Sequence, residues 1–190
     1  MSSQPTTYLT PEEYLAVERK SEYKSEYIYG EMVAMTGASR RHNLIAFNIS
    51  IELGRQLKGR ACEAYASDMR VRVPSTHLYT YPDVVVVYGE PLFEDEHVDT
   101  LLNPTLIIEV LSESTERYDR GKKFGFYRTI ESLAEYLLVA QDEYRIEHYA
   151  KQSDGRWLLS DYRSADDTVE MTSIQCKLAL REVYDKVVLS

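Results

Sequence analysis

Cysteine is scarce. The 190 residues hold two, Cys62 and Cys176, far apart and in no metal-ligand spacing. That excludes a disulfide scaffold and a zinc ribbon, and fits two buried thiols in a reducing compartment. No run approaches the roughly 18 apolar residues of a membrane-spanning helix, so no membrane association is expected. Residues 1–7 are polar, without the apolar stretch of a secretory signal. The expected location is therefore cytoplasmic. Basic residues are also short, 22 Lys and Arg against 31 Asp and Glu, for a net charge of −9 and a pI near 5.0. This excludes a general nucleic-acid coat or a membrane-surface binder, both of which need a basic face, but it leaves a local basic groove open. Internal repeats, low-complexity tracts and linkers are absent as well.

What is present reads as one globular domain over residues 1–190, with 44% hydrophobic and 28% charged residues. Aromatic content is skewed to 16 tyrosines against four phenylalanines and one tryptophan. Thr10-Pro11-Glu12-Glu13 carries a capping residue, a first-turn proline and the glutamate of a capping box, predicting a helix to about Glu18. Residues 27–35 predict two short strands turning at Gly30. Ser39 caps a second helix, whose apolar residues recur at helical spacing from Leu44 to Leu57, with Gly59 as its stop. Strands are expected over 64–73, 83–88, 105–111 and 135–139, with a helix over 115–130 before the last. Strand-like runs at 145–149 and 157–162 and a short helix over 180–187 follow. Glu90 to Asp99 is acidic and reads as a solvated loop. The order predicts an α/β fold: an αβββαβ core with a mixed central sheet, prefaced by a helix and a β-hairpin and followed by strands and a short helix.

Two strands carry the chemistry. Val84–Val87 and Leu106–Leu111 are apolar on both faces, as in central strands covered on each side, yet one begins at Asp83 and the other contains Glu109. A carboxylate there loses several kcal/mol of hydration unless it is neutralised, paired or bound to a metal. If the strands are antiparallel neighbours, the two carboxylates converge, and a cation between them relieves the repulsion. Hard oxygen ligands suit Mg²⁺ or Mn²⁺. The competing reading makes Asp83 a turn cap and pairs Glu109 with an arginine. In the following helix, Asp119, Lys123, Tyr127 and Ile130 share one stripe at 100° per residue, which aims Lys123 inward, towards the strand of Glu109. There it can orient a water, neutralise charge on a phosphate, or simply pair with Asp119.

The string Pro82-Asp83, then Glu109 26 residues on, resembles the PD-(D/E)xK nuclease superfamily. The fuller pattern is similar to the Uma2 (DUF820) family of endonucleases, common in cyanobacteria. It comprises Tyr27–Met35, His42-Asn43, Ser67–Val71, Tyr81-Pro82-Asp83, Ile108–Ser112, Tyr118–Gly121 with Lys123-Phe124, Tyr127-Arg128 and Glu135-Tyr136. The superfamily signature wants lysine two residues after the glutamate, where Leu111 stands. The resemblance implies Asp83 and Glu109 as metal ligands, with Lys123, moved to the helix, as the third catalytic group.

Secondary candidates are Glu31 after the hairpin glycine, His42 in the first turn of the second helix, Asp68 before an alternating strand, and Tyr127 beside Lys123. Segments 39–60 and 117–128 each carry an excess of four positive charges, a basic rim for the expected site. The function so implied is a Mg²⁺-dependent endonuclease acting on phosphodiester bonds, with DNA as the expected partner and weak binding. A homodimer is expected from the apolar C-terminal tail. The alternatives are a nuclease-fold binding or assembly module without cleavage, and a metal-dependent hydrolase of another phosphate ester.

Overall fold

A computed structural model describes residues 8–189. The N-terminal segment read as lacking a secretory stretch lies outside the described residues. Valine and isoleucine runs form the middle of a six-stranded mixed sheet of order β11-β10-β9-β8-β6-β3. Its strands are β3 (Cys62–Ala66), β6 (Val84–Tyr88), β8 (Leu106–Val110), β9 (Glu135–Val139), β10 (Ile146–Lys151) and β11 (Trp157–Tyr162). β8 pairs antiparallel with β6 and parallel with β9, and β3 pairs antiparallel with β6. Preceded by α2 (Arg40–Leu57), these strands complete the αβββαβ order read from the sequence.

Alternation decides what each face meets. Val84, Val86, Leu106, Ile108 and Leu137 pack against Ile45, Ile49 and Leu53 of α2. They also meet the hairpin β12 (Thr168–Met171) and β13 (Cys176–Ala179) and the short α5 (Leu180–Val183). Val85, Val87, Ile107 and Leu138 face the other way, onto Val71, Val73 and Leu78 of a second, five-stranded sheet. This sheet has the order β2-β1-β5-β4-β7: β1 (Ser25–Ile28), β2 (Glu31–Ala34), β4 (Arg70–Val73), β5 (Leu78–Thr80) and β7 (Thr100–Leu101). Full burial of each such side chain contributes about 1.5–3 kcal/mol, so both faces are cores in their own right. On the outer side of the second sheet, Tyr27 and Tyr79 pack on Tyr14 and Leu15 of α1 (Pro11–Glu18), which has the expected capping box between Thr10 and Glu13.

Four expectations change in detail. The strand expected over 64–73 is two strands, β3 and β4, which belong to different sheets and are divided by a turn at 67–69. The acidic loop is not simply solvated. Arg19 binds Asp95 and Asp99, Arg70 binds Asp99, and Arg72 binds Glu94, so the loop clamps α1 to the second sheet. The last helix ends at Val183 rather than Val187, and Lys186 has a positive φ. The C-terminal apolar tail expected to join a dimer packs largely on its own core: Val183 and Tyr184 are buried, Val187 and Leu189 lie against them, and Val188 is exposed. Cys62 and Cys176 are free thiols, the first only partly buried. Among the described residues no helix is long and apolar enough to cross a membrane.

Candidate active site

The antiparallel register of β6 and β8 pairs Val84 with Ile108, so the next step of the ladder sets Asp83 opposite Glu109. Asp83 Oδ2 accepts the Val110 amide at 2.7 Å, which fixes the carboxylate at the end of β8. His42 Nε2 lies 3.1 Å from the same oxygen. The imidazole comes from the first turn of α2, where Ser39 caps the helix by accepting the His42 amide at 3.0 Å. The Ser39 hydroxyl donates in turn to the Gln141 side chain, whose amide donates to the Leu111 carbonyl. One helix end and two strand ends are thus tied together around Asp83.

Lys123 enters from the other side. The segment expected as one helix over 115–130 is α3 (Glu116–Tyr118), a π-helical turn over Asp119–Lys123, and α4 (Phe124–Tyr127). A π turn inserted in a helix is a frequent mark of a functional position. Here it keeps Asp119 and Lys123 on the inner face, both buried, as the stripe predicted. The ammonium stands 2.9 Å from Glu109 Oε1, 3.0 Å from Glu26 Oε1 and 3.6 Å from Asp119 Oδ1. The Tyr127 hydroxyl donates to Glu109 Oε1 at 2.9 Å and lies 3.4 Å from Thr80 Oγ1. Thr80 in turn donates to Glu26 Oε1. Glu109, Lys123, Glu26, Thr80 and Tyr127 therefore close a ring that spans the two sheets.

Burial pushes the Glu109 carboxyl up to about 8; Lys123 opposes the rise, while Asp119 and Asp83 add to it. Asp119 is raised as well, by burial first and by Glu26 and Asp83. Burial works against the Lys123 ammonium, but Glu109, Tyr127, Glu26 and Asp119 outweigh it and hold its pKa well above the ordinary lysine value. Asp83, Glu109, Glu26 and Asp119 thus gather four carboxyl groups about a single lysine.

Among the described residues no group of three or more His, Cys, Asp or Glu side chains is arranged to hold a metal ion. Mg²⁺ needs fewer. It keeps several waters and is commonly held by one or two carboxylates together with substrate phosphate oxygens. Asp83 and Glu109, hard oxygen donors crowded by like charge, fit that demand. Side-chain exposure is 15% at Asp83 and 16% at His42 but 6% at Glu109 and 7% at Lys123, so the cluster opens to solvent at the Asp83 end.

Of the residues singled out in the sequence, Asp83, Glu109, Lys123, Tyr127 and His42 meet here. Glu31 and Asp68 do not. Glu31 is exposed on the edge strand β2, and Asp68 lies in the turn after β3, 91% exposed and paired with Lys24. The hairpin does supply an acid, but it is Glu26, on the opposite strand. Tyr27 packs on α1, so strict alternation turns its neighbour Glu26 inward on the face of Ile28. An acid on an apolar strand face was the available signal, and it fell just ahead of the strand start read at Tyr27. Part of the basic rim is already committed: Arg120 binds Glu116 and Glu147, Arg60 donates to backbone carbonyls, and Lys123 is internal. Arg40, Arg117 and Lys122 remain exposed near the site.

A mixed sheet in αβββαβ order, with one carboxylate at the start of a central strand, a second within its antiparallel neighbour and a helix lysine against the second, is a restriction-endonuclease-like fold. A solved structure of this architecture covers 95% of the chain at a TM-score of 0.78 and 19% identity, with 99% of its own length covered. It is described as a putative nuclease belonging to DUF820 from Anabaena variabilis, and the likeness is one of fold. The chain belongs to the Uma2 family, whose model, described as "Putative restriction endonuclease", matches residues 11–181. Two proteins of Synechocystis sp. are similar over nearly their whole length. Uncharacterized protein sll1609 is 44% identical over 167 residues, covering 88% of this chain and 94% of that protein. Uncharacterized protein slr1290 is 38% identical over 182 residues, covering 96% and 94%.

Proposed function

We propose that the chain is a metal-dependent nuclease that hydrolyses phosphodiester bonds in DNA. The observation that carries this reading is the meeting of Asp83, Glu109 and Lys123 at one solvent-open end of two central strands. Asp83 and Glu109 would hold Mg²⁺ or Mn²⁺. Bound there, the ion supplies Lewis acidity to a phosphate oxygen and lowers the pKa of an attacking water.

The chain's own groups do the rest. The Lys123 ammonium, kept protonated by its carboxylates, can donate but cannot take a proton. Its role is therefore to steady negative charge on the scissile phosphate rather than to act as a base. His42 Nε2 and the Val110 amide hold Asp83 in one orientation. Tyr127 holds Glu109 at Oε1. Arg40, Arg117 and Lys122 would meet flanking phosphates, and with a net charge of −9 their attraction gives weak, salt-sensitive binding.

The test pairs calorimetric titration of Mn²⁺ and Mg²⁺ with cleavage of supercoiled, linear and single-stranded DNA and of RNA, in wild type and Asp83→Ala. Loss of a ligand is expected to weaken metal binding at least ~10-fold. It should also slow cleavage on the order of 10³-fold, since the ion supplies several kcal/mol at about 1.4 kcal/mol per tenfold. Absence of carboxylate-dependent metal binding in the wild type would sink the nuclease reading in favour of a binding or assembly module. The three-carboxylate grip on Lys123 is the feature that favours this second reading. Turnover of small phosphate esters with every nucleic acid left intact would point to the third.

A further inference from the structure

We propose that Glu26 is the positioning residue of Lys123: it holds the ammonium at the phosphate-facing end of the site while Glu109 is engaged elsewhere. The proposal deepens the nuclease reading and rests on it for its kinetic readout. Glu109 is asked for two things, since its oxygens would serve a cation and Oε1 also receives Lys123 and Tyr127. Glu26 has no such second demand. Its Oε1 lies 3.0 Å from Lys123 Nζ and accepts the Thr80 hydroxyl. Asp119, at 3.6 Å, is within ion-pair range but beyond hydrogen-bond reach. Glu26 is thus the hydrogen-bonding partner that stays with the lysine whichever way Glu109 turns.

Its location supports the assignment. Glu26 is buried on a strand face otherwise occupied by Ile28, in a sheet separate from the one that bears Glu109. A buried charge in such a place is a poor source of stability, because an apolar residue of similar volume usually does as well or better. What the carboxylate does supply is a fixed direction for a four-carbon side chain with three rotatable donors. Thr80, on the neighbouring strand β5, locks the carboxylate in turn. The lysine is therefore steered from a rigid sheet rather than from its own short helical turn.

The experiment uses the full chain with Glu26→Gln and Glu26→Asp and three measurements. These are ¹H–¹⁵N spectra of lysine side-chain ammonium groups in metal-free protein, Mn²⁺ binding by calorimetry, and kcat and KM on DNA. Lys123→Met identifies the Lys123 signal. Glu26→Gln is expected to remove the protected Lys123 signal and to leave Mn²⁺ affinity and KM within about threefold. It should lower kcat on the order of 10²-fold, the scale of a misplaced catalytic group. Glu26→Asp, which keeps the charge on a shorter arm, should recover about tenfold of that loss.

An unchanged kcat in Glu26→Gln would overturn the proposal, as would a fall in kcat matched by an equal fall in folded fraction. If the wild type cleaves nothing but Glu26→Gln still releases the Lys123 signal, the nuclease reading fails and the clamp stands. If the wild type cleaves and the variant keeps its rate, the clamp fails and the nuclease reading stands. Should Glu26→Gln not fold, Thr80→Val removes the hydroxyl that locks Glu26, and a loss of the Lys123 signal with lowered kcat supports the same clamp. Retention of both would overturn it.

Discussion

Glu109→Gln is expected to melt at a higher temperature than the wild type while losing cleavage on the order of 10³-fold. Both effects come from one charge. The Glu109 carboxyl is driven up to about 8 by burial and by Asp119 and Asp83. A carboxyl whose folded pKa lies above its unfolded value of about 4.3 binds more protons in the folded state across the window between them. Stability therefore falls as pH rises from roughly 4 towards 8. Glutamine carries no charge to desolvate, keeps the shape, and still accepts from Tyr127 and Lys123. The net gain should be about 1–2 kcal/mol, or ~3–6 °C for a chain of this size, largest near pH 8 and absent near pH 4. Scanning calorimetry at the two pH values reads it. A lower midpoint at pH 8 would mean that the Lys123 pair outweighs desolvation and like-charge repulsion.

Lys123→Met should move stability the other way and further. Methionine fills similar volume but leaves Glu26, Glu109 and Asp119 buried around no cation, and removing one partner of a buried pair costs roughly 3–5 kcal/mol. That corresponds to about 10 °C or more at the midpoint for 150–250 residues. Because burial already raises Glu109 and Asp119, the variant should recover stability as the pH is lowered and both take up protons. Millimolar Mn²⁺ should recover part of the loss at neutral pH by binding the folded state alone. Cleavage should fall with the loss of the phosphate-facing charge. Full activity in a folded Lys123→Met protein would remove the role given to this lysine.

The legible part of the site followed from strong local signals. An acid inside a doubly apolar strand, as at Glu109, has few benign explanations, and the antiparallel pairing that brings Asp83 beside it joins strands separated only by the connection 89–105. Lys123 was readable from helical period, and the π turn did not spoil the reading because it leaves Asp119 and Lys123 on one face. Glu26 was missed because β1 begins two residues before the apolar signal at Tyr27. The division of 64–73 into β3 and β4 was illegible for a different reason: both halves alternate, and neither glycine nor proline marks the turn where the chain changes sheets. The clamp on the acidic loop depends on Arg19, Arg70 and Arg72, which are distant in sequence and leave no local trace. Tyrosine abundance gains a reason in the same way. The rings of Tyr14, Tyr79, Tyr81, Tyr127 and Tyr184 are buried, while their hydroxyls reach carboxylates or backbone carbonyls across element boundaries.

The ring through Glu26 and Lys123 also fixes when in folding the site comes into being. The two residues are 97 positions apart in the chain and lie on opposite sides of the junction between the sheets. Closing so long a loop is entropically slow, and contacts of high sequence separation gather late. The central sheet can pair β6 with β8 from residues close in sequence. The lysine meets Glu26 only when the N-terminal hairpin docks, so on the proposed nuclease reading catalytic competence is expected to follow that docking rather than the pairing of β6 with β8.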